Sequence, residues 1–202
     1  MSFHPLMPYG GQGFQRSERT LMAEGEAFAF TPERAARLEE ICGRYPPERR
    51  KSAVLAALYL VQEQQPYITA SAMRHVADFL RITPAEVEDV ATYYVMFFKA
   101  PVGQYVLQVC RTLSCALAGA ERVAEALSEK IGVPVGGTDP SGMFTLLEFE
   151  CLGACDRAPV VMVNNEHWHE RATPDSCAKL VDDLRARGVE ALSGCHLHVE
   201  RR

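Results

Sequence analysis

Four cysteines in the second half of the chain fall into two close pairs. Four residues separate Cys110 from Cys115, and three separate Cys151 from Cys155. Each pair follows the end of a predicted strand, so each lies on a loop that leaves the edge of a sheet. Two such loops side by side would bring four thiolates to one site. The fold of this half must therefore place its strands so that the two loops meet.

The spacing of the pairs bears on what they bind. Soft thiolate ligands select zinc or an iron–sulfur cluster. Structural zinc sites usually contain at least one pair with only two intervening residues, and both pairs here are wider. The wider spacing favours a diamond-shaped 2Fe–2S cluster with two thiolates on each iron. Plant-type ferredoxins place three cysteines in one loop, which is a different order. Spacing alone leaves zinc and unliganded thiols as alternatives.

The composition narrows the class of protein. Seven cysteines in 202 residues is an odd number for a disulfide framework, and clustered cysteines in the reducing cytosol usually bind metal. A formal net charge of −5 argues against a nucleic-acid-binding protein, which would need a basic face. The longest apolar run, 53–61, is shorter than the ~20 residues of a membrane span. The acidic residues near the N-terminus do not fit a leader peptide. We therefore expect a cytoplasmic protein with no nucleic-acid partner and no direct membrane insertion.

The first half of the sequence shows helical periodicity. Residues 1–29 are rich in Gly and Pro and predict a loosely held tail. Residues 30–99 predict a helical bundle of four apolar-striped helices, which contains no recognisable chemical motif. Their starts are indicated by hydroxyl residues, the last of them in a capping box: Thr31, Ser52, Thr69 and Thr83.

Residues 100–188 predict a small α/β domain similar to thioredoxin, and residues 189–202 a C-terminal tail. The predicted order is a strand before Cys110, an Ala- and Glu-rich helix over 116–131, strands at 144–149 and 159–163, and a helix closed by Gly188. Asn164-Asn165 predicts a hairpin turn. The fold class is therefore α+β (α/β), an N-terminal helical bundle followed by a thioredoxin-like 2Fe–2S domain.

Residues beside the cysteines suit a cluster as well. Gly153 would let backbone approach inorganic sulfide closely. Residues 111–114 present amides at the start of a helix, which favours negative charge. Three nearby acids would lower the reduction potential or would only be solvated surface: Glu148, Glu150 and Asp156.

Other reactive side chains have simpler interpretations. We expect Cys42 and Cys177 to be buried packing residues, and His75 to be structural. Trp168 would cover its own core, with packing on a partner as the alternative. Residues 195–198 (Cys-His-Leu-His) could hold a stray metal, although a tail is the simpler expectation.

The sequence around the second pair closely resembles a known signature. Phe144-Thr145 is followed after five residues by Cys-Leu-Gly-Ala-Cys-Asp-Arg-Ala-Pro over 151–159. This resembles the family of thioredoxin-like 2Fe–2S subunits, the E subunits, of NADH:quinone oxidoreductase (respiratory complex I). Cys110 and Cys115 match the first ligand pair of that family. Stretches within 45–93 are similar to its helical N-terminal domain.

Two positions depart from the family pattern. The family usually has Asp three positions before the Phe of the signature, where this chain has Ser141, with Asp139 nearby. Many members have Pro directly before the second ligand, where this chain has Ser114. Neither position is a ligand.

The resemblance implies that Cys110, Cys115, Cys151 and Cys155 bind one 2Fe–2S cluster. It implies an electron-transfer subunit of an NADH dehydrogenase and translocase, with no complete active site on this chain. FMN and NADH would lie on a partner flavoprotein subunit, and the chain would also meet other peripheral-arm subunits of complex I. The protein would then sit at the inner face of the cell membrane through the complex. The sequence contains no GxGxxG and no P-loop, which agrees with nucleotide binding on the partner.

Three alternatives remain open from the sequence. The chain could be the equivalent subunit of an NAD-linked hydrogenase or formate dehydrogenase. It could be a free 2Fe–2S ferredoxin, although a shuttle would not need the helical bundle. It could also be a structural zinc protein. We expect the helical bundle and the N-terminal tail to dock on the partner subunit. Tyr94, Phe97 and Phe98 would either anchor that partner or pack between the two domains.

Overall fold

The computed structural model describes residues 24–194. These residues form two compact units, which divide between Pro101 and Val102. The expectations for residues 1–23 and for the Cys-His-Leu-His run at 195–198 lie outside the described residues.

The first unit contains the four predicted helices, α1 (Pro32–Cys42), α2 (Val54–Gln64), α3 (Ala70–Leu80) and α4 (Pro84–Tyr93). Three of the predicted hydroxyl caps are confirmed, because the side chains of Thr31, Thr69 and Thr83 each accept a backbone N–H in the first turn. The predicted start at Ser52 is wrong, because a 3₁₀ segment, Pro47–Ala53, precedes α2 without a side-chain cap.

The core of this unit is formed by the apolar stripes of the helices. Cys42 is buried in it, as predicted. His75 accepts a hydrogen bond from the backbone N–H of Phe30 at 3.3 Å and packs edge-on against the Phe30 ring, so its role is structural. Residues 24–29, predicted as tail, also contact the helices, since Ser71 N–H donates to the Glu24 carbonyl at 3.1 Å.

The second unit contains a mixed sheet of four described strands in the order β2-β1-β3-β4. The strands are β1 (Tyr105–Cys110), β2 (Phe144–Phe149), β3 (Val161–Val163) and β4 (His167–His169). β1 runs parallel to β2 and antiparallel to β3, and β3 pairs antiparallel with β4. The mixture of helices and a mixed sheet confirms the α+β fold class.

The hairpin between β3 and β4 turns at the predicted place. Asn164 and Asn165 both have positive φ, 54° and 60°, which is the backbone that a two-residue hairpin turn requires. The strand β4 itself was not predicted, because three half-buried residues are too short to show an alternating pattern.

Three helices complete this unit: α5 (Leu113–Leu117), α6 (Ala120–Ile131) and α7 (Pro174–Arg187). α6 and α7 contact each other, and their apolar faces join the inward side chains of the sheet in one core. Cys177 is fully buried there, as predicted. A 3₁₀ segment, Gly188–Gly194, follows α7 and buries Leu192, so the first residues of the predicted C-terminal tail are folded. Between residues 24 and 194, no helix is both long and apolar enough to cross a membrane.

Candidate metal centre

The first cysteine pair is buried where β1 meets α5. Cys110 is the last residue of β1 and is 1% exposed, and its N–H donates to the Val160 carbonyl at 3.0 Å. The chain then turns at Thr112, whose hydroxyl lies 3.2 Å from Cys110 Sγ. Cys115 lies on α5 and is also 1% exposed. The sheet and the helix therefore fix both sulfurs within the core of the unit.

The second pair lies on an exposed loop after β2. The register pairs Cys110 with Phe149, the last residue of β2, so the loop that starts at Glu150 leaves the same edge of the sheet. Cys151 and Cys155 are exposed, and their sulfurs are 3.3 Å apart. Gly153 N–H donates to Cys151 Sγ at 3.4 Å. Gly153 has a φ of +82°, a left-handed conformation that favours glycine.

Contacts between the two loops bring the pairs together. The Leu152 backbone is close enough to lower the pKa of Cys110, and the Thr112 side chain is close enough to lower the pKa of Cys151. The Ser114 side chain partly offsets the rise in the pKa of Cys155. An ion pair between Arg111 and Glu150, at 2.6 Å, also joins the loops. The edge of the sheet thus collects all four predicted cysteines.

The acid–base properties differ within each pair. Burial alone would raise the pKa of Cys110, but hydrogen bonds from Thr112, Leu152 and Cys115 lower it below its ordinary value. Burial, and then the neighbouring Cys110, raise the pKa of Cys115 to about 12. The hydrogen bond from Gly153 is the main cause that lowers the pKa of Cys151.

The pKa of Cys155 rises because Cys151 holds it by a hydrogen bond and by its charge. In both pairs, the pKa of one thiol is lowered and the pKa of its neighbour is raised. Four thiolates would repel one another unless a cationic group joined them, since metal binding is what deprotonates neighbouring thiols together. The donor set therefore suits a metal group.

The four cysteines are arranged as two pairs. Among the described residues, no three His, Cys, Asp or Glu side chains are grouped so that they could hold a metal ion. A single tetrahedral ion needs its ligands around one point, whereas a two-iron cluster takes two thiolates on each iron. Two pairs of cysteines match the ligand count of such a cluster.

Residues of β4 and the segment after it support the exposed loop. Trp168 is half-buried against the core of the unit, and its indole N–H donates to the Leu152 carbonyl at 2.9 Å. Arg157 pairs with the nearly buried carboxylate of Glu170 at 2.7 Å. The Arg157 backbone carbonyl accepts the N–H of Arg171 at 2.8 Å. Trp168 thus covers its own core, as predicted.

Comparison with known sequences decides the family. Residues 38–185 match the family of thioredoxin-like 2Fe–2S ferredoxins. The chain belongs to this family. Because the match spans both compact units, the helical bundle is part of the family pattern.

Several relatives of this chain carry a more specific name. It is 43% identical to the E subunit of the NADH-quinone oxidoreductase of Mycobacterium tuberculosis over 169 residues, which cover 82% of this chain and 66% of that one. It is 39% identical to the NADH-quinone oxidoreductase subunit 2 of Thermus thermophilus, over 80% of this chain and 92% of that one. The chain therefore spans just under two thirds of the mycobacterial protein and nearly all of the Thermus protein.

A solved structure shares the fold of this chain. A chain of the NAD⁺-reducing NiFe hydrogenase in its air-oxidized state superimposes with a TM-score of 0.61 and 19% identity. The superposition covers 73% of this chain and 25% of that chain. At this identity the likeness concerns the fold.

The departure at Ser141 has a structural explanation. The carboxylate of Asp139 accepts the Phe144 N–H at 2.8 Å and the Ser141 hydroxyl at 2.5 Å. Asp139 therefore caps the start of β2 itself, and Ser141 orients it. Ser114, the other departure, places a hydroxyl beside Cys155.

Sequence reasoning missed three supporting contacts: the Trp168 indole on Leu152, the Arg111–Glu150 pair, and the Arg157–Glu170 pair. Arg111 and Glu150 are 39 positions apart in the sequence, and Trp168 and Leu152 are 16 positions apart. No short motif relates such positions. Only the parallel pairing of β1 with β2, and the return of β4, bring these side chains to the loops.

Proposed function

We propose that Cys110, Cys115, Cys151 and Cys155 bind one 2Fe–2S cluster. We propose that the chain is the electron-transfer subunit of an NADH:quinone oxidoreductase. When bound, such a cluster accepts and releases electrons one at a time. The observation that carries the ligand set is the convergence of two cysteine pairs at one sheet edge. The assignment to the complex rests on relatives at 39% and 43% identity that bear the names of its subunits.

The protein residues would hold the cluster asymmetrically. Cys110 and Cys115 would fix one iron within the core, and Cys151 and Cys155 would hold the other iron at the surface. The Gly153 N–H would stabilise negative charge on Cys151 sulfur. Electrons would then exchange most readily through the exposed side. There α5 presents two leucines, Leu113 and Leu117, which are 74% and 81% exposed.

The proposed redox partner is a flavoprotein subunit that binds FMN and NADH. A hydride delivers two electrons together, and a cluster that takes one at a time requires a flavin between itself and NADH. Other peripheral-arm subunits of complex I would complete the assembly. Through them, the chain would lie on the cytoplasmic side of the cell membrane.

The proposed docking elements are the helical bundle and the N-terminal tail. Phe97 and Phe98 are 0% and 4% exposed, and Phe97 packs on Tyr59 with ring centroids 5.2 Å apart. They therefore contribute to packing rather than to an exposed anchor. Tyr93 and Tyr94, at 76% and 37% exposed, are the aromatic side chains of this region that a partner could cover.

Co-purification from native membranes and cytosol tests the assignment. The full chain should bring down a subunit that contains FMN, together with further subunits of a quinone reductase. A nickel–iron hydrogenase or a formate dehydrogenase would instead place the chain in a different NAD-linked enzyme. Recovery as a monomer with a cluster but no subunits would make it a free ferredoxin.

The division of labour has its own test. The purified chain should not oxidise NADH, and should be reduced by NADH once the flavoprotein subunit is added. Substituting Tyr93→Ser and Tyr94→Ser should weaken that association and leave the visible spectrum unchanged. NADH oxidation by the chain alone would contradict the proposal.

A further inference from the structure

Trp168 contacts the exposed cysteine loop through one defined hydrogen bond. Its ring lies against the core of the unit, and its indole N–H donates to the Leu152 carbonyl at 2.9 Å. Leu152 is the residue directly after Cys151. The indole thus binds the backbone of the loop between the two exposed cysteines.

The peptide group that accepts this bond also contacts a cysteine sulfur. The Leu152 carbonyl and the Gly153 N–H belong to one planar peptide group, and they point in opposite directions. While the carbonyl accepts from Trp168, the N–H donates to Cys151 Sγ at 3.4 Å. The two hydrogen bonds form a chain from indole to sulfur. A bond to the carbonyl polarises the peptide and strengthens its N–H as a donor.

Gly153 leaves the orientation of this peptide adjustable. Gly153 has a φ of +82°, and glycine populates both signs of φ, so the backbone can rotate there at low cost. A Cβ built on Gly153 would meet no heavy atom within 4 Å, so there is open space on that side of the residue. Loss of the indole N–H would therefore free the peptide to turn its N–H away from Cys151.

We propose that Trp168 is a positioning residue that sets the reduction potential of the cluster by directing the Leu152–Gly153 peptide N–H at Cys151 Sγ. The inference rests on the proposed function for its effect on potential, and on this chain's own geometry for its effect on the peptide. Reduction adds negative charge to the cluster and its sulfur ligands. A hydrogen bond to a ligand sulfur stabilises that charge and raises the potential.

The test begins with Trp168→Phe, which retains an aromatic ring and removes the donor. A second variant carries 3-benzothienylalanine at this position, which keeps the bicyclic shape and lacks the N–H. Both should bind iron and sulfide as the unaltered protein does, and both should have a lower midpoint potential by spectroelectrochemical titration. The matched control is Ser128→Ala, which removes a different hydrogen bond from a side chain to a carbonyl, at 2.7 Å to Val133. Its potential should not change.

The cluster-free protein supplies an independent measurement. Amide hydrogen exchange at Gly153, followed by NMR, should be faster in both Trp168 variants than in the unaltered protein, and should not change in Ser128→Ala. An unchanged potential in cluster-loaded variants, or an unchanged Gly153 exchange rate, would overturn the inference. If the unaltered protein binds no iron, the proposed function fails, and the exchange experiment still decides whether Trp168 orients the peptide.

Discussion

The two cysteine pairs are held at the same sheet edge by different kinds of interaction. Cys110 and Cys115 are each 1% exposed and belong to a strand and a helix that form part of the core. Cys151 and Cys155 are exposed on a loop that side-chain and backbone hydrogen bonds hold in place. The first pair therefore depends on folding of the core, and the second on local contacts around the loop.

The difference suits electron transfer. A rigid, buried pair keeps one side of a cluster away from water, and an exposed pair leaves the other side open to a partner. It also predicts that changes to the two pairs should be equivalent for binding the cluster but unequal in reactivity and stability.

The largest expected effect is loss of the cluster. Cys110→Ser and Cys151→Ser should each weaken or abolish the visible absorption of the purified protein, because each removes one thiolate from a proposed iron. Cys42→Ser, Cys177→Ser and Cys195→Ser should retain it. If Cys195→Ser bleached the protein as completely as Cys151→Ser, the proposed ligand set would be wrong.

The next largest expected effect is a difference in thiol alkylation between the two cysteine pairs of the cluster-free protein. The pKa of Cys151 is lowered, so the reactive thiolate forms at a lower pH than in an ordinary cysteine, and the side chain is exposed. Cys115 is buried with a pKa of about 12, so it stays protonated at neutral pH. Mass spectrometry after brief iodoacetamide treatment at neutral pH should find Cys151 labelled and Cys115 unlabelled. Equal labelling would show that the two pairs do not differ in this way.

Two leucines near the first cysteine pair, one buried and one exposed, show how much the elements that carry this pair depend on the core. Leu107 is fully buried in β1, the strand that ends at Cys110, and Leu107→Ala should lower the free energy of unfolding by about 2–5 kcal/mol. Leu117 is 81% exposed on α5 beside Cys115, and Leu117→Ala should change it by less than about 0.5 kcal/mol. Urea denaturation of both variants gives the comparison. A similar loss of unfolding free energy in both variants would contradict the burial of Leu107 and the exposure of Leu117.

The smallest expected difference in stability is the one between alanine substitutions at two glycines. Gly153 and Gly132 have φ angles of +82° and +78°, and a Cβ on either would meet no heavy atom within 4 Å. Alanine at each position should therefore cost a similar amount, about 1–2 kcal/mol, through backbone strain alone. Only Gly153→Ala should also alter the EPR spectrum of the reduced protein, because Gly153 lies on the ligand loop. An altered spectrum in Gly132→Ala would show that general destabilisation is responsible.

The sequence was sufficient for features that depend on neighbouring residues. Hydroxyl residues before the helices at Thr31, Thr69 and Thr83 predicted the caps, because a cap acts within one turn. Asn164-Asn165 predicted the hairpin turn for the same reason. The cysteine pairs were predicted to lie at strand ends, and the register of β1 with β2 accounts for their meeting at one edge.

Features that depend on distant residues were not predicted. β4 has three residues and gains its place by pairing with β3, which no local propensity encodes. Two interpretations of the acids near the cysteines were open, a lowered potential or solvated surface, and neither included the ion pair that Glu150 forms with Arg111 across two loops. Trp168 was correctly expected to cover its own core, but its hydrogen bond to Leu152 follows from tertiary structure alone.

The metal content of the natively purified protein tests the central claim most directly. Anaerobic purification, followed by iron, sulfide and zinc analysis with a visible spectrum, should give a red-brown protein with about two irons and two sulfides per chain. One equivalent of zinc, without visible absorption, would contradict the cluster on Cys110, Cys115, Cys151 and Cys155.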